Sequence, residues 1–260
     1  MTVLWKYRKF ILQNAVNDLR HRYAGSTMGV LWNVLNPLSQ ILVYTLIFSS
    51  LMKAHLVHRP STAGFAVYLC SGLLPWTAFA ESVVRGTGAF VSNANFLKKL
   101  PVPEQVFVAQ SALASTLNLL VSMVLLFGLN LTTGSGASLS WLLIPIILLL
   151  FQGFAFGLGV LLGSLNVFFR DIGQVVPILL QLWMWLNPIV YLKTTLPARL
   201  QAALAWNPTF AFIDSIHDAM LNHTVPEAWK WGSMFGWALG MTVVGYAVMR
   251  RLRPEIRDVV

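Results

Sequence analysis

The ionisable side chains within the long apolar stretches of this chain are few, and they occur beside groups of opposite charge. Glu81 precedes Arg85 by about one helical turn, so both side chains lie on one face of a helix and can form an ion pair. A carboxylate inside a membrane can also carry protons, and a proton relay through Glu81 is the alternative to this pairing. Arg170 and Asp171 are adjacent, and we expect them to form an orienting salt bridge at a turn.

A second set of ionisable residues, Asp214, His217 and Asp218, has the spacing of one helix face. Such a set could serve acid–base chemistry in a membrane-embedded enzyme that modifies glycans, for example an acyltransferase. No G-x-S-x-G motif supplies a nucleophile. His55 and His58 have no carboxylate or cysteine close by in sequence to complete a zinc site. We therefore expect neither catalytic residues nor a metal site.

The phosphate-binding pattern G-x-x-x-x-G-K-[ST] is absent from the sequence. ATP hydrolysis by the usual P-loop route is therefore not expected of this chain, and energy must come from another subunit or from an ion gradient. The scarcity of carboxylates within the apolar stretches argues against the gradient. A gradient-driven carrier that uses Glu81 stays open as an alternative.

The composition indicates the broad class of protein. The chain has 260 residues, of which 57% are hydrophobic and 10% are charged, and its mean hydropathy is +0.67. Residues 105–169 and 172–192 contain no Asp, Glu, Lys or Arg. Since a spanning helix needs roughly 20 apolar residues, the sequence predicts an all-α polytopic membrane protein. The single cysteine, Cys70, excludes an intrachain disulfide and is expected to be a small buried hydrophobe.

The long apolar runs predict six transmembrane helices. They lie at residues 29–52, 64–84, 106–131, 141–169, 172–192 and 229–249. The predicted domains are therefore an amphipathic interface helix at 1–28, a six-span transmembrane domain at 29–249 and a basic tail at 250–260.

The distribution of basic residues predicts the orientation of these helices. If both termini lie on one side, that side carries 13 of the 18 Lys and Arg residues, and the other side carries only those at positions 53, 59, 193, 199 and 230. The positive-inside rule then places both termini in the cytoplasm. Topology and anionic membrane lipids together explain the net charge of +9, so nucleic acid is not expected as a partner.

The first 28 residues have the pattern of a helix that lies on a membrane surface. Apolar residues recur there at helical spacing, with polar and basic residues between them. Gly25, Ser26 and Gly29 then join this helix to the first predicted span. This arrangement suggests a membrane protein that receives a push from the cytoplasmic side. A plain membrane anchor or an ordinary helix that faces solvent is the alternative.

Two connections between predicted spans have informative sequences. The cytoplasmic loop at 85–105 is polar and contains NANFLKKLPVPEQ. The outer segment at 193–228 contains two amphipathic stretches separated by Asn207 and Pro208, and it follows a span that ends in Asn187 and Pro188. Because proline breaks helices, the pattern predicts two re-entrant periplasmic helices that form an outer gate. A simple periplasmic cap is the alternative.

Glycines in the fourth and sixth predicted spans recur at the spacing of close helix contacts. We expect these glycines to pack within one subunit, with a dimer interface as an added hypothesis. They are Gly153, Gly157, Gly159 and Gly163 in the fourth span and Gly232, Gly236 and Gly240 in the sixth.

Aromatic residues are dense, with ten Trp, six Tyr and sixteen Phe. Sugar rings stack on aromatic faces, so aromatic residues on the spans could line a path for a glycan. The alternative is that each of them faces lipid or packs in the core. The candidates for the path are Trp32, Tyr44, Trp76, Phe79, Trp183, Trp185 and Tyr191.

Six motifs in a fixed order resemble the permease subunits of bacterial polysaccharide ABC exporters, the family that transports O-antigen, capsule and teichoic acid. They cover nearly the whole chain. The motifs are RYAGSTMGVLW at 22–32 with Pro37 following, SGLLPW at 71–76, NANFLKK at 93–99, NVFFRD at 166–171, NPIVY at 187–191 and NP at 207–208.

This resemblance implies a homodimer bound to two copies of a separate nucleotide-binding ATPase, which would carry the ATP and Mg while this chain binds no cofactor. The cargo would be a lipid-linked polysaccharide, with O-antigen as the first choice, moved across the bacterial inner membrane in lipopolysaccharide biosynthesis. An ABC permease for a drug or a simple lipid is the alternative of the same kind.

The resemblance also assigns roles to residues. A coupling helix within 93–105 and the interface helix would contact the ATPase through Arg22, Tyr23, Asn95, Phe96, Lys98 and Lys99. Structural or gate roles fall to Gly25, Gly29, Glu81, Arg85, Arg170, Asp171, Asn187, Pro188, Asn207 and Pro208. Leu100 and Glu104 depart from the family pattern, in which an aromatic residue and an apolar or small residue often stand at these places.

Overall fold

The computed structural model describes residues 2–22, 25–50, 62–99, 101–132 and 138–259. Within these ranges the regular structure is helical. The eleven α-helices are α1 (Thr2–Lys6), α2 (Arg8–His21), α3 (Trp32–Ser50), α4 (Thr62–Ser92), α5 (Ala94–Lys99), α6 (Gln105–Thr132), α7 (Ile144–Asn166), α8 (Ile172–Trp185), α9 (Ala198–Leu204), α10 (Phe210–His217) and α11 (Ala228–Val259). A π-helical turn, Asp218–Asn222, follows α10.

Among the described residues, four stretches of helix are long and apolar enough to cross a membrane: Gly64–Ser92, Gln105–Leu131, Leu139–Asn166 and Ala228–Ile256. They correspond to the second, third, fourth and sixth predicted spans, so the all-helical membrane class is confirmed. α4 continues to Ser92, past the predicted end at residue 84, and therefore forms part of the expected cytoplasmic loop.

The predicted fifth span is shorter than expected. α8 ends at Trp185 rather than at residue 192, so its 14 residues extend about 21 Å, less than the roughly 30 Å of a bilayer core. The helix stops before Asn187 and Pro188, where proline has no backbone N–H to continue it. The first predicted span corresponds to α3, and its predicted end at Met52 lies outside the described residues.

Stacked aromatic rings from different helices fill the centre of the structure. The rings of Phe79 in α4 and Phe151 in α7 are parallel, with centroids 4.4 Å apart. Phe212 in α10 stacks on Phe151 with a centroid distance of 4.8 Å. These three side chains are fully buried and anchor the outer segment to the long helices. Cys70 is buried as expected.

Glycines bring α4, α7 and α11 into backbone contact. A methyl group at Gly157 would lie 2.5 Å from the backbone nitrogen of Thr242 in α11, and one at Gly163 would lie 2.7 Å from the carbonyl oxygen of Gly86 in α4. The predicted packing role of the α7 glycines is therefore confirmed at these contacts.

The predicted packing role of the α11 glycines within one subunit is wrong. Nothing lies within 4 Å of a methyl group built at Gly232, Gly236 or Gly240, and Gly245 instead makes the close approach to α7. Spacing identified a glycine-rich face of α11, but the face that meets α7 is a different one.

The N-terminal segment consists of two helices that bend at Tyr7. α2 buries Ile11 and Ala15, and the ring of Phe10 packs edge-on against Phe107 of α6 with centroids 6.5 Å apart. Its link to α3 contains Gly25 and Gly29.

The link between α2 and α3 contains two glycines with left-handed backbone conformations. Gly25 and Gly29 have φ values of +87° and +47°, in the left-handed region that glycine adopts without a steric cost. Asn33 of α3 donates a hydrogen bond to the carbonyl of Leu19 in α2, at 3.2 Å. The interface helix and the first predicted span are therefore connected directly across this turn.

Gly157→Ala is expected to destabilise the protein by about 1–3 kcal/mol, because the added methyl group forces the backbones of α7 and α11 apart. Gly240→Ala is the matched control, since its methyl group meets no neighbour and alanine favours helix. Thermal unfolding of the detergent-purified protein measures both. Equal melting temperatures for the two variants would contradict the close contact.

Candidate functional site

Four side chains form an inner charge cluster between the interface helix and α4: Asp18, Arg22, Glu81 and Arg85. Arg85 Nη1 lies 2.7 Å from Asp18 Oδ2 and 3.4 Å from Glu81 Oε1. Arg22 Nη2 forms an ion pair with Glu81 and lies 3.9 Å from Asp18 Oδ2. The expected Glu81–Arg85 pair is confirmed, but it belongs to a larger cluster that joins two elements.

The inner charge cluster is electrically balanced, with two carboxylates and two guanidinium groups. Each side chain is about one quarter exposed, so single pairs are each worth about 0–1 kcal/mol. The geometry accounts for both arginines without an external partner. Arg22, expected at the ATPase interface, is held within this chain by Glu81, and Tyr23 lies outside the described residues.

Next to the inner charge cluster, a groove of about 370 Å³ separates α4 from α8. Glu81 and Arg85 line one part of the groove, and Trp76, Pro177 and Met184 line others. The groove therefore extends from charged side chains to an aromatic wall.

α5 projects as a short surface helix with one buried anchor. Leu97 is buried against the core, Ala94 is partly exposed, and the other four side chains are exposed. Of the six residues predicted to contact an ATPase, the four in α5 are all exposed, namely Asn95, Phe96, Lys98 and Lys99. An exposed apolar ring beside two lysines, for which the described residues supply no carboxylate partner, is a surface that can bind an acidic, partly apolar partner.

The connection after α5 is fixed to the far end of α11 by a pair that the sequence did not predict. Glu104 is fully buried, and its carboxylate lies 3.1 Å from Arg253 Nε. The hydroxyl of Tyr7 also donates to the carbonyl of Pro101, at 3.4 Å. The only signal in the sequence was that Glu104 departs from the family pattern.

An outer charge cluster of four residues joins α10 to the start of α11: Lys193, Asp214, Asp218 and Lys230. Lys230 Nζ lies 2.6 Å from Asp214 Oδ2 and 2.5 Å from Asp218 Oδ2. Lys193 Nζ lies 2.8 Å from Asp214 Oδ1. The sequence indicated the two aspartates but missed both lysines, because these come from distant elements.

Burial controls the electrostatics of the outer charge cluster. The side chain of Lys230 is only 3% exposed and that of Asp214 only 4%. Burial alone would raise the pKa of Asp214, but hydrogen bonds and charges from Lys193 and Lys230 hold it below its ordinary value. Asp214 therefore remains an ionised structural partner of the two lysines.

His217 is buried against Tyr68 of α4. Its Nε2 is 3.1 Å from the carbonyl of Tyr68, and the two rings stack with centroids 4.2 Å apart. Burial lowers the pKa of His217 to about 4. The hydroxyl of Tyr68 donates to the carbonyls of Pro188 and Tyr191, at 2.6 and 2.8 Å.

The Asp214–His217–Asp218 set therefore does not form the acid–base site of the enzyme alternative. Both aspartates bind lysines, and the histidine is neutral and engaged with a backbone carbonyl. His55 and His58 lie outside the described residues.

The two Asn–Pro pairs meet in space, and we call their contact the asparagine clasp, formed by Asn187, Asn207 and Thr209. Asn207 Nδ2 donates to Asn187 Oδ1 at 3.1 Å, and the hydroxyl of Thr209 donates to the same oxygen at 2.8 Å. Trp183 Nε1 donates to Asn207 Oδ1 at 2.9 Å. The sequence predicted two helix breaks here but not that they bind each other.

The residues predicted to line a glycan path divide into buried and exposed groups. Phe79 is fully buried and Trp76 is nearly so, and Trp183 meets both rings edge-on. Phe79 and Trp76 therefore pack in the core, which is the alternative stated above for aromatic residues on the spans.

The other candidates reach the surface of the subunit. Trp185 is 54% exposed, and Trp32 is 39% exposed with its Nε1 donating to Ser26 Oγ at 2.9 Å. Tyr44 and Tyr191 are half-buried, and the hydroxyl of Tyr191 donates to the carbonyl of Trp185 at 3.3 Å. Their contact with a glycan stays a prediction.

The expected salt bridge between Arg170 and Asp171 does not form among the described residues, and both side chains are exposed. Asn166 holds the turn instead. Its Nδ2 donates to the carbonyl of Thr87 at 3.0 Å, and its Oδ1 accepts from the backbone nitrogen of Gly173 at 2.9 Å. An amide side chain can make both contacts at once, because it carries both a donor and an acceptor.

Comparison with known proteins identifies the relatives of this chain. A family model described as ABC-2 type transporter matches residues 11–221. The chain is 29% identical over 243 residues to an O-antigen export system permease protein RfbA of Klebsiella pneumoniae, covering 93% of this chain and 91% of that protein. It is 30% identical over 227 residues to the protein of the same name from Myxococcus xanthus, covering 86% and 85%.

A more distant similarity is to the polysialic acid transport protein KpsM of Escherichia coli. The identity is 23% over 244 residues, which covers 90% of each chain. The three relatives are transport proteins by name and match this chain over most of its length.

Lys230→Met is expected to destabilise the protein by about 3–5 kcal/mol, because it removes the buried counter-charge that Asp214 and Asp218 share. Lys193→Met is the matched control, and it should cost about 0–1 kcal/mol because that side chain is 43% exposed. Thermal unfolding in detergent compares the two. Equal losses of stability would show that burial of Lys230 does not govern the cluster.

Acidification is expected to destabilise the protein through His217. The unfolded chain binds a proton below a pKa of about 6.5, while the folded histidine stays neutral until about pH 4. The free energy of unfolding therefore begins to fall below about pH 6.5, and it is lower by about 2 kcal/mol at pH 5.

Thermal unfolding measured from pH 7 to pH 5 tests whether acid destabilises the protein. His217→Gln should flatten the pH dependence, whereas His21→Gln, at an exposed position of α2, should leave it unchanged. A wild-type slope that survives His217→Gln would assign the pH dependence to other groups.

Proposed function

The chain belongs to the ABC-2 type transporter family, and we propose that it is the membrane-spanning permease of an ATP-driven exporter of a bacterial polysaccharide, with O-antigen as the first choice. The observation that carries this proposal is similarity over about nine tenths of the chain to proteins named as O-antigen export permeases. The structure is compatible, since the Lys230–Asp214 pair and the pair of buried Glu104 with Arg253 join separate elements of the fold.

The proposed topology has six crossings of the inner membrane with both termini in the cytoplasm. α3 and α8 add two crossings to the four long apolar stretches. The positive-inside rule supports the orientation, because basic residues concentrate beside the ends that would face the cytoplasm. α8 is short, and the half-buried chain after Asn187 would complete its crossing inside the protein, where irregular backbone is tolerated.

A separate ATPase supplies the energy in this proposal, and it carries the ATP and Mg. α5 is its docking surface, with Leu97 as the internal anchor and Phe96, Lys98 and Lys99 facing the partner. The inner charge cluster transmits the motion, because it binds the interface helix to α4. The Glu104–Arg253 pair extends the same connection to α11.

Two copies of the chain form the polysaccharide channel in this proposal. Support comes from α8, which exposes an apolar face that includes Ile178, Leu182 and Trp185. Apolar faces of this kind suit subunit contacts and channel walls. The aromatic residues would hold the sugar chain weakly, as conduction requires binding that is favourable but not tight. α9 and α10 form the outer gate, fastened by the outer charge cluster and the asparagine clasp.

The central experiment deletes the gene for this chain in its native bacterium and purifies a tagged copy in mild detergent. Loss of surface polysaccharide, restored by the tagged copy, together with recovery of a P-loop ATPase in equal amount, is the expected result. Normal surface polysaccharide after deletion would refute the assigned cargo, and a chain recovered without an ATPase would refute the ABC mechanism.

Lys98→Glu combined with Lys99→Glu is expected to reduce ATPase recovery at least tenfold, because the exposed charges of α5 are reversed at the docking surface. Arg199→Glu, also exposed but in the outer segment, is the control. Quantitative recovery of the ATPase with each tagged variant is the measurement. An intact complex in the double variant would remove α5 from the interface.

Trp185→Ala is expected to lower surface polysaccharide several-fold without reducing assembly, because the exposed ring is lost but no core packing is. Trp237→Ala on α11 is the control for loss of a partly exposed indole elsewhere. Surface polysaccharide is compared at equal amounts of the assembled complex. Unchanged export by Trp185→Ala would exclude this residue from the path.

A further inference from the structure

A large apolar groove lies between α7 and α11, away from the α4–α8 groove. Its volume is about 950 Å³, at the upper end of the roughly 300–1,000 Å³ of small-molecule sites. Its walls include Leu149 and Phe156 from α7 and Leu239 and Val243 from α11. Apart from Leu4 of the interface helix, the residues that line the groove have no assigned role in the function proposed above.

Small residues create this groove. Gly157 and Gly245 hold the two helix backbones in contact. Beside this contact, Gly153 and Ala238 have almost no side-chain volume, and a methyl group at Gly153 would meet only the Cβ of Ala238, at 3.9 Å. The two helices are therefore close together, while the groove remains open along their line of contact.

The length of the groove matches one leaflet of a membrane. Its lining residues on α11 extend from Ala238 to Arg251. The rise of 1.5 Å per residue makes this distance about 20 Å. One leaflet contributes about half of the roughly 30 Å hydrocarbon core, so the groove can hold an acyl chain and still reach the headgroup level.

Two arginines mark one end of the groove. Arg250 and Arg251 both line it and are exposed. Neither guanidinium has a carboxylate partner within the part of the chain that the structure describes, whereas nearby Arg253 is bound to Glu104. Gln105 and Leu4 complete the wall at this end. The site is thus apolar along its length and cationic at one mouth.

We propose that the α7–α11 groove binds an anionic phospholipid of the membrane, with an acyl chain along the helices and the phosphate at Arg250 and Arg251. Basic pockets between membrane helices on the positively charged side recognise such headgroups. A neutral or zwitterionic lipid would leave the two guanidinium groups without net counter-charge. The proposal goes beyond polysaccharide export and requires the proposed topology only to assign the lipid to the cytoplasmic leaflet.

Native mass spectrometry of the full-length protein, with added phosphatidylglycerol or phosphatidylethanolamine, tests the proposal. The wild type is expected to retain phosphatidylglycerol preferentially. Arg250→Gln with Arg251→Gln should weaken that retention by about thirtyfold, since each basic residue contributes roughly fivefold. Lys98→Gln with Lys99→Gln is the control, because it removes the same charge from the same predicted side without touching the groove.

A second variant tests the apolar part of the site independently of charge. Ala247→Phe adds bulk at an exposed position in the groove wall and should also reduce phosphatidylglycerol retention.

Retention that is equal in both arginine and lysine double variants would overturn the site, as would retention of phosphatidylethanolamine equal to that of phosphatidylglycerol. Displacement of the phospholipid by a polyprenyl phosphate at equal concentration would overturn the assignment to a membrane lipid. Since the readout is lipid binding, a failed export proposal would leave these outcomes unaffected.

Discussion

The ion pair between Lys230 and Asp214 is the contact on which the outer half of the structure depends. Both side chains are almost fully buried, and a charge in such a place is stable only when its partner is held at hydrogen-bond distance. The pair fixes the start of α11 against α10. α10 in turn carries Phe212 into the aromatic core and His217 onto Tyr68 of α4. The outer segment is thus bound to long helices at three points, so it is part of the folded core and not a loose loop.

Paired charges also connect the interface helix to α4 at the opposite end of the protein, although these side chains are less deeply buried. The inner charge cluster is partly exposed, and its strength comes from four groups acting together. Glycine contacts meanwhile hold α4, α7 and α11 together backbone to backbone. A push on the interface helix would therefore reach α4 and its close-packed neighbours as one unit, whereas α8 has a groove between itself and α4.

Sequence patterns predicted the features that depend on local spacing. Long apolar runs identified α4, α6, α7 and α11, and a one-turn spacing identified the Glu81–Arg85 pair. Contacts between distant elements had no such signal, which is why Lys193 and Lys230 were missed as partners of Asp214. The α11 glycines show the same limit, because spacing marks a face of a helix but not the neighbour that the face meets.

The asparagine clasp and the inner charge cluster respond differently to the composition of the surrounding water. The clasp consists of neutral amide and hydroxyl groups, and Asn187 and Thr209 are fully buried. Dissolved ions screen exposed charges over about 8 Å at physiological ionic strength but have little effect on buried neutral hydrogen bonds. The inner charge cluster, about one quarter exposed, is the contact of the two that added salt can weaken. Added salt on the side that the inner charge cluster faces would therefore weaken the contact between the interface helix and α4, while the asparagine clasp stays unchanged.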